Sequence, residues 1–137
     1  MKVDTVRVKK YLAEIRRKSS ELQSLLDAND LIPDSIPLKA AKYILIELSE
    51  AISNTLQHIL AKDQGVAVSG YIDTIHKSYE YGLISQGMYQ RLKPFFDFRN
   101  SLIHRYWTVD DSQLITNLHK GRGDFDHFIE EVEEYMS

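Results

Sequence analysis

Cysteine is absent from the 137 residues, which removes a disulfide framework, a thiolate zinc site and a cysteine nucleophile at once. Long apolar runs are missing as well. No stretch reaches membrane length, and the opening MKVDTVRVKKYLAEIRRK lacks the apolar centre of a signal peptide, so a cytoplasmic location and no membrane contact are expected. No glycine-rich phosphate loop occurs, since GRG at 121 to 123 reads as a turn; any nucleotide-handling activity should belong to a partner chain. A strong charge of one sign is lacking too. The net charge of −3 argues against a surface built wholly to attract nucleic acid.

What is present is an ordinary globular balance, 43% hydrophobic and 27% charged with eight Tyr and five Phe, in a length suited to one compact domain spanning residues 1–137. The charge is unevenly spread. Residues 1–18 carry seven Lys or Arg against Asp4 and Glu14, whereas residues 124–137 carry six acids and no base. Residues 91–105 hold Arg91, Lys93, Arg99 and Arg105 against Asp97 alone, which allows a local anion site.

The apolar spacing is helical almost throughout. Val3, Val6, Tyr11, Ile15, Leu22, Leu25 and Leu26 mark a first helix, stopped by ANDLIPDSIP with its Pro33 and Pro37. From Leu38 to about Lys62 a wide apolar face suits a bundle interior. After the linker DQGVAVSG, a shorter third helix runs from Tyr71 toward Gly82, and Ser85 can cap a fourth that runs toward Tyr106. Pro94 removes one backbone donor inside that fourth helix, and a kink is favoured there over a break. A short piece around 112–118 and a last helix capped by Asp124 follow. The expected fold is all-α, an up-and-down four-helix bundle with additional short C-terminal helices.

One stretch stands apart. Residues 98–107 read FRNSLIHRYW, crowding two arginines, an asparagine, a histidine and two aromatic rings into ten positions. On a helix Asn100 and His104 face the same way, while Arg99 and His104, five apart, are separated by roughly 140° around the axis. Three arrangements could still bring Arg99 and His104 together: a distorted helix end, the reach of the long Arg99 side chain, or two copies meeting across a symmetric dimer. Imidazole can exchange a proton near neutral pH and guanidinium binds phosphate oxygens in a forked geometry. Together they suit phosphodiester chemistry, with His104 as base or acid, Arg99 stabilising the extra charge and Asn100 orienting the imidazole or binding phosphate. Taken as residue types alone, the same cluster also fits a solvated structural network at a helix end.

RNSLIH followed by RY resembles the RxxxxHxY signature of HEPN ribonuclease toxins, and specifically the HepT-like subfamily. ELSEAISNTLQHIL on the second helix and FFDFRN before the motif extend the resemblance from about Leu38 to Met136. It implies a helical homodimer with facing motif helices that cuts RNA, tRNA or mRNA, without a metal or other cofactor. It also implies the toxin half of a type VII HEPN/MNT toxin–antitoxin system, neutralised when a cognate MntA-like nucleotidyltransferase antitoxin transfers AMP to Tyr106, with assembly into a larger hetero-oligomer left open. The alternative it allows is a non-catalytic HEPN module that binds a nucleotidyltransferase partner.

Four other features have candidate roles beside plainer ones. Glu50 and Asn54 share a stripe with His58 on the second helix; they are candidates to position Arg99 or His104 from behind, beside a plainer role in a polar seam. Asp73 with His76 and Asp124 with His127 have the spacing of a di-metal element, but lie near helix starts where Asp is expected as a cap. Tyr43, Tyr79, Tyr81 and Tyr89 read as core or interface aromatics. The basic first helix reads as a solvated face, with RNA steering or an acidic partner as the alternatives.

Overall fold

The computed structural model describes residues 3–104 and 110–137, and among these it contains six α-helices and no strand. They are α1 (Thr5–Asp27), α2 (Ile36–Gln64), α3 (Gly70–Glu80), α4 (Gln86–His104), α5 (Asp111–Lys120) and α6 (Asp124–Met136).

Their ends follow the local chemistry. Asp4 caps α1 by accepting the Arg7 N–H at 3.0 Å, and Ser35 caps α2 by accepting that of Leu38 at 3.2 Å. Pro37 therefore does not merely stop the preceding segment. It sits in the first turn of α2, where its missing N–H costs nothing. Ser85 caps α4 as its sequence position suggests, its hydroxyl accepting the Met88 N–H at 3.1 Å. α4 then runs through Pro94 as one helix to His104.

Asp124 departs from expectation. It is the first residue of α6, after an N-cap at Gly123, and its carboxylate turns to Arg91 at 3.6 Å instead of closing the helix end. Burial raises this carboxyl above the usual range, with Arg91 opposing the shift.

α2 is the central helix. Leu45, Leu48, Ile52, Leu56, Ile59 and Leu60 are completely buried, each such side chain contributing about 1.5–3 kcal/mol relative to exposure. α1 packs on α2, α2 on α4, α4 on α6 and α6 back on α1, so these four close a ring around the core. The C-terminal helix is thus a member of the bundle, and α3 is the added element, laid against α2 and α4.

Directions follow from side-chain pairs. Asp4 meets His58 and Lys18 meets Glu47, so α1 and α2 are antiparallel. Ser85 meets Glu131 and Arg91 meets Asp124, so α4 and α6 are antiparallel. Gln23 meets Asp126, while Thr5, Val8 and Leu12 share a groove with Glu133 and Met136, so α6 also opposes α1. The ring is up-and-down throughout.

α3 runs with α2 and against α4, because Tyr71 meets Phe96 at one end and Tyr79 stacks on Tyr89 at the other. The linker permits this by doubling back. Lys77 Nζ donates to the Ala67 carbonyl at 3.0 Å and the Ser69 N–H donates to Asp73 at 2.9 Å, so residues 65–69 climb alongside α3 before it starts. That climb brings the start of α3 level with the last turns of α4.

Candidate active site

The stripe of α4 that faces inward carries Leu92 and Phe96, both completely buried. Arg99 follows them at three and seven residues, so it continues the same stripe. A cation is thereby delivered to a half-buried position at the end of an apolar face. Its guanidinium carbon lies 3.7 Å from the centre of the Tyr71 ring, and its Nη1 donates to Asn100 Oδ1 at 3.3 Å. Nε is buried without a hydrogen-bond partner, and no carboxylate forms an ion pair with Arg99 among the described residues. The nearest acid along the helix, Asp97, pairs with Lys93 at 3.0 Å instead.

Asn100 is half-buried beside Arg99, whereas His104 is exposed at the end of α4. The structure brings Arg99 and Asn100 together and leaves His104 apart, with no hydrogen bond to either among the described residues. α4 remains helical through His104, so no distorted helix end joins the two, and the reach of Arg99 is directed toward Tyr71. Exposed Ile103 adjoins the imidazole. Tyr106 lies outside the described residues.

Glu50 and Asn54 are exposed on α2. Gln57 donates to Thr74 at 3.3 Å, which sets α2 against α3, and with α3 running parallel to α2 this register brings Asn54 near the height of Tyr71 and Arg99. Glu50 is one turn further toward the His104 end. No hydrogen bond or ion pair connects either residue to Arg99, Asn100 or His104 among the described residues. His58, on the same sequence stripe, is buried and accepts the Asp4 backbone N–H.

The two Asp-x-x-His pairs are engaged elsewhere. Asp73 accepts the Ser69 N–H and pairs with Lys77 at 3.3 Å; both contacts hold its carboxyl below the ordinary range, the backbone bond most. His76 pairs with Glu80 at 2.8 Å and His127 lies 3.6 Å from Glu131. No group of three or more metal-ligating side chains converges among the described residues, and no described helix is long and apolar enough to cross a membrane. The basic character of α1 is partly consumed, with Arg17 on Glu14 of the same helix at 2.7 Å and Lys18 on Glu47 of α2 at 2.9 Å.

Tyr71 is the site residue that sequence reasoning passed over. In the sequence it marks only the start of the third helix. Its signal was available: Tyr71 shares the inward face of α3 with Ile75 and Ser78, both buried, as Arg99 shares that of α4.

The fold resembles YutE from Bacillus subtilis, a cytosolic protein of unknown function, with a TM-score of 0.81 at 17% identity over 98% of this chain and 92% of that one. It equally resembles the tri-AMPylated HEPN toxin of Shewanella oneidensis in complex with its MNT antitoxin, with a TM-score of 0.82 at 18% identity over 93% and 97% of the two chains. A mutant of the toxin–antitoxin complex MntA–HpeT gives 0.79 at 20% identity, covering 93% and 98%. The sequence itself matches the family of HepT-like ribonucleases over residues 8–132. This chain belongs to that family. Comparison with curated protein sequences finds no significant match.

Proposed function

We propose that this chain is the toxin of a type VII HEPN/MNT toxin–antitoxin pair, a metal-independent endoribonuclease that works in the cytoplasm as a homodimer. The observation that carries the reading is Arg99: a guanidinium held at a defined place with no carboxylate paired to it among the described residues, in a chain of the HepT-like ribonuclease family. A cation in that state is ready for an anion from outside.

Within one chain Arg99 lies over Tyr71 and makes no hydrogen bond to His104 among the described residues; two motif helices face to face would give the pair a shared reaction centre. In such a cleft His104 of one copy takes the proton of a ribose 2′-hydroxyl, whose oxygen attacks the adjacent phosphorus. Arg99 stabilises the negative charge that builds on the phosphorane oxygens, and Asn100 holds Arg99 through its side-chain carbonyl. The P–O5′ bond breaks, and the leaving oxygen receives a proton from the second imidazole. The products are a 2′,3′-cyclic phosphate and a 5′-hydroxyl. Glu50 and Asn54, near the height of the site, would position Arg99 or His104 from behind.

The named relatives suggest the control. One is a HEPN toxin that is AMPylated and bound to an MNT antitoxin. Here a cognate nucleotidyltransferase would place AMP on Tyr106, two residues beyond His104, adding bulk and negative charge where substrate phosphate must bind.

The test is incubation of purified protein of unmodified mass with total tRNA in EDTA, comparing wild type with His104→Ala. Cleavage by wild type alone, leaving cyclic phosphate ends, is expected. Ordinary 3′-hydroxyl ends would overturn the mechanism. No cleavage of tRNA or mRNA by unmodified protein would favour a HEPN module that only binds its nucleotidyltransferase.

A further inference from the structure

We infer that Tyr71 is a positioning residue for Arg99: its ring face, and not a carboxylate, holds the guanidinium where a phosphate can meet it. The inference rests on the ribonuclease reading for its consequence in catalysis, although the stack itself stands on geometry alone.

A buried or half-buried arginine is usually oriented by acceptors. Among the described residues Arg99 has one, the Asn100 side-chain carbonyl at a long 3.3 Å, while its Nε is buried with none. The contact that remains is the Tyr71 ring, 3.7 Å from the guanidinium carbon. An aromatic face attracts a cation through its quadrupole and occupies the flat side of the guanidinium. The stack itself takes up none of the N–H edges, which make the forked contact to phosphate. A carboxylate in the same place would occupy those edges and cancel the charge, so substrate would have to displace it.

The ring is itself held firmly. Phe96, completely buried, meets Tyr71 edge to face at 6.1 Å between centroids. The backbone just before it is set by Gly70, whose φ of 89° lies in the region that favours glycine. The Ser69 N–H bound to Asp73 and the Ala67 carbonyl bound to Lys77 fix the chain on the other side of that turn. The Tyr71 hydroxyl makes no hydrogen bond among the described residues, so the face of the ring is the part that acts.

The experiment compares Tyr71→Phe, Tyr71→Leu and Tyr71→Met by RNA cleavage, thermal unfolding and the NMR resonance of the Arg99 Nε–Hε group. Expected are an upfield ring-current shift of Hε in wild type and Tyr71→Phe that is lost in the Leu and Met variants. With it, kcat should fall roughly tenfold to a hundredfold in Leu and Met and be retained in Phe, as for a misplaced transition-state contact. Should the Leu variant unfold, Met carries the comparison. Full activity in a folded Leu or Met variant, or a Phe variant as impaired as Leu, would overturn the inference. If wild type cleaves no RNA, the ribonuclease reading fails, and Hε then decides the stack: a shift lost only in Leu and Met supports it, equal positions in all four overturn it.

Discussion

His58 Nε2 accepts the backbone N–H of Asp4 at 3.0 Å, fastening the last turns of α2 to the residue that caps α1. Accepting requires an unprotonated Nε2. Burial pushes this imidazole below its ordinary range, and the nearby Arg7 adds to the shift. The unfolded chain therefore takes up the proton first as pH falls. Stability should be complete above about pH 6.5, the value of a free histidine, and should decline as the solution is acidified below it. Thermal unfolding between pH 8 and pH 5 should show this slope in wild type and a shallower one in His58→Gln; parallel curves would discount the latch.

Arg99→Met should separate function from stability. The substitution keeps an unbranched stem on the inward stripe of α4 and removes a buried N–H that has no partner among the described residues, an arrangement that costs about 1–3 kcal/mol, against a ring contact that returns about 0.5–2 kcal/mol. Urea unfolding should show unchanged or slightly higher stability while RNA cleavage disappears. A large loss of stability would make Arg99 a structural residue.

Gly121→Ala should destabilise the junction of α5 and α6. The added Cβ would stand 2.8 Å from Asp124 Oδ2, 3.0 Å from Phe95 Cζ and 3.2 Å from the Asn117 carbonyl. The carboxylate can swing away; the buried ring and the backbone oxygen cannot. Overpacking of this kind costs about 1–3 kcal/mol, to be read as a fall in the unfolding midpoint.

Gly70→Ala and Gly65→Ala form a matched pair. Both glycines have positive φ, 89° and 66°, and neither Cβ would meet an atom within 4 Å. Each change should thus lower stability through backbone strain alone, about 1–2 kcal/mol. Gly70 precedes Tyr71, whereas Gly65 ends α2 away from the motif. Only Gly70→Ala should also lower kcat. Equal kcat values in the two variants would count against control of the site from the start of α3.

The helices were legible because their signals are local. Leu45, Leu48, Ile52, Leu56 and Ile59 announce α2 by spacing alone, and Ser85 announces the start of α4. Ring membership was not legible, since the order of helices along a chain does not say which become neighbours; α3 lies outside the ring because Lys77 and Asp73 hold the linker against it. The position of Asp124 failed by one residue, which is enough to turn a cap into a partly buried carboxylate facing Arg91. In the site, the angular separation of Arg99 and His104 followed from helix geometry, but the pairing of Arg99 with Tyr71 joins two helices and has no local signature. The Glu50, Asn54 and His58 stripe shows why four-residue spacing misleads over distance. Each step of four drifts about 40° around the axis, so Glu50 and Asn54 face solvent while His58 turns into the core.

The closed ring also has a consequence for the order in which the chain can be assembled on a ribosome. α1 with α2, and α3 with α4, join segments that emerge one after the other. The contact between Gln23 and Asp126 spans 103 positions, so the ring closes only when the last helix has been made. Until then Val8, Leu12 and Phe95 lack the cover of α6, and the nascent chain presents an open apolar seam. The arginine and its aromatic support, being neighbours within α3 and α4, are built before the domain that carries them is shut.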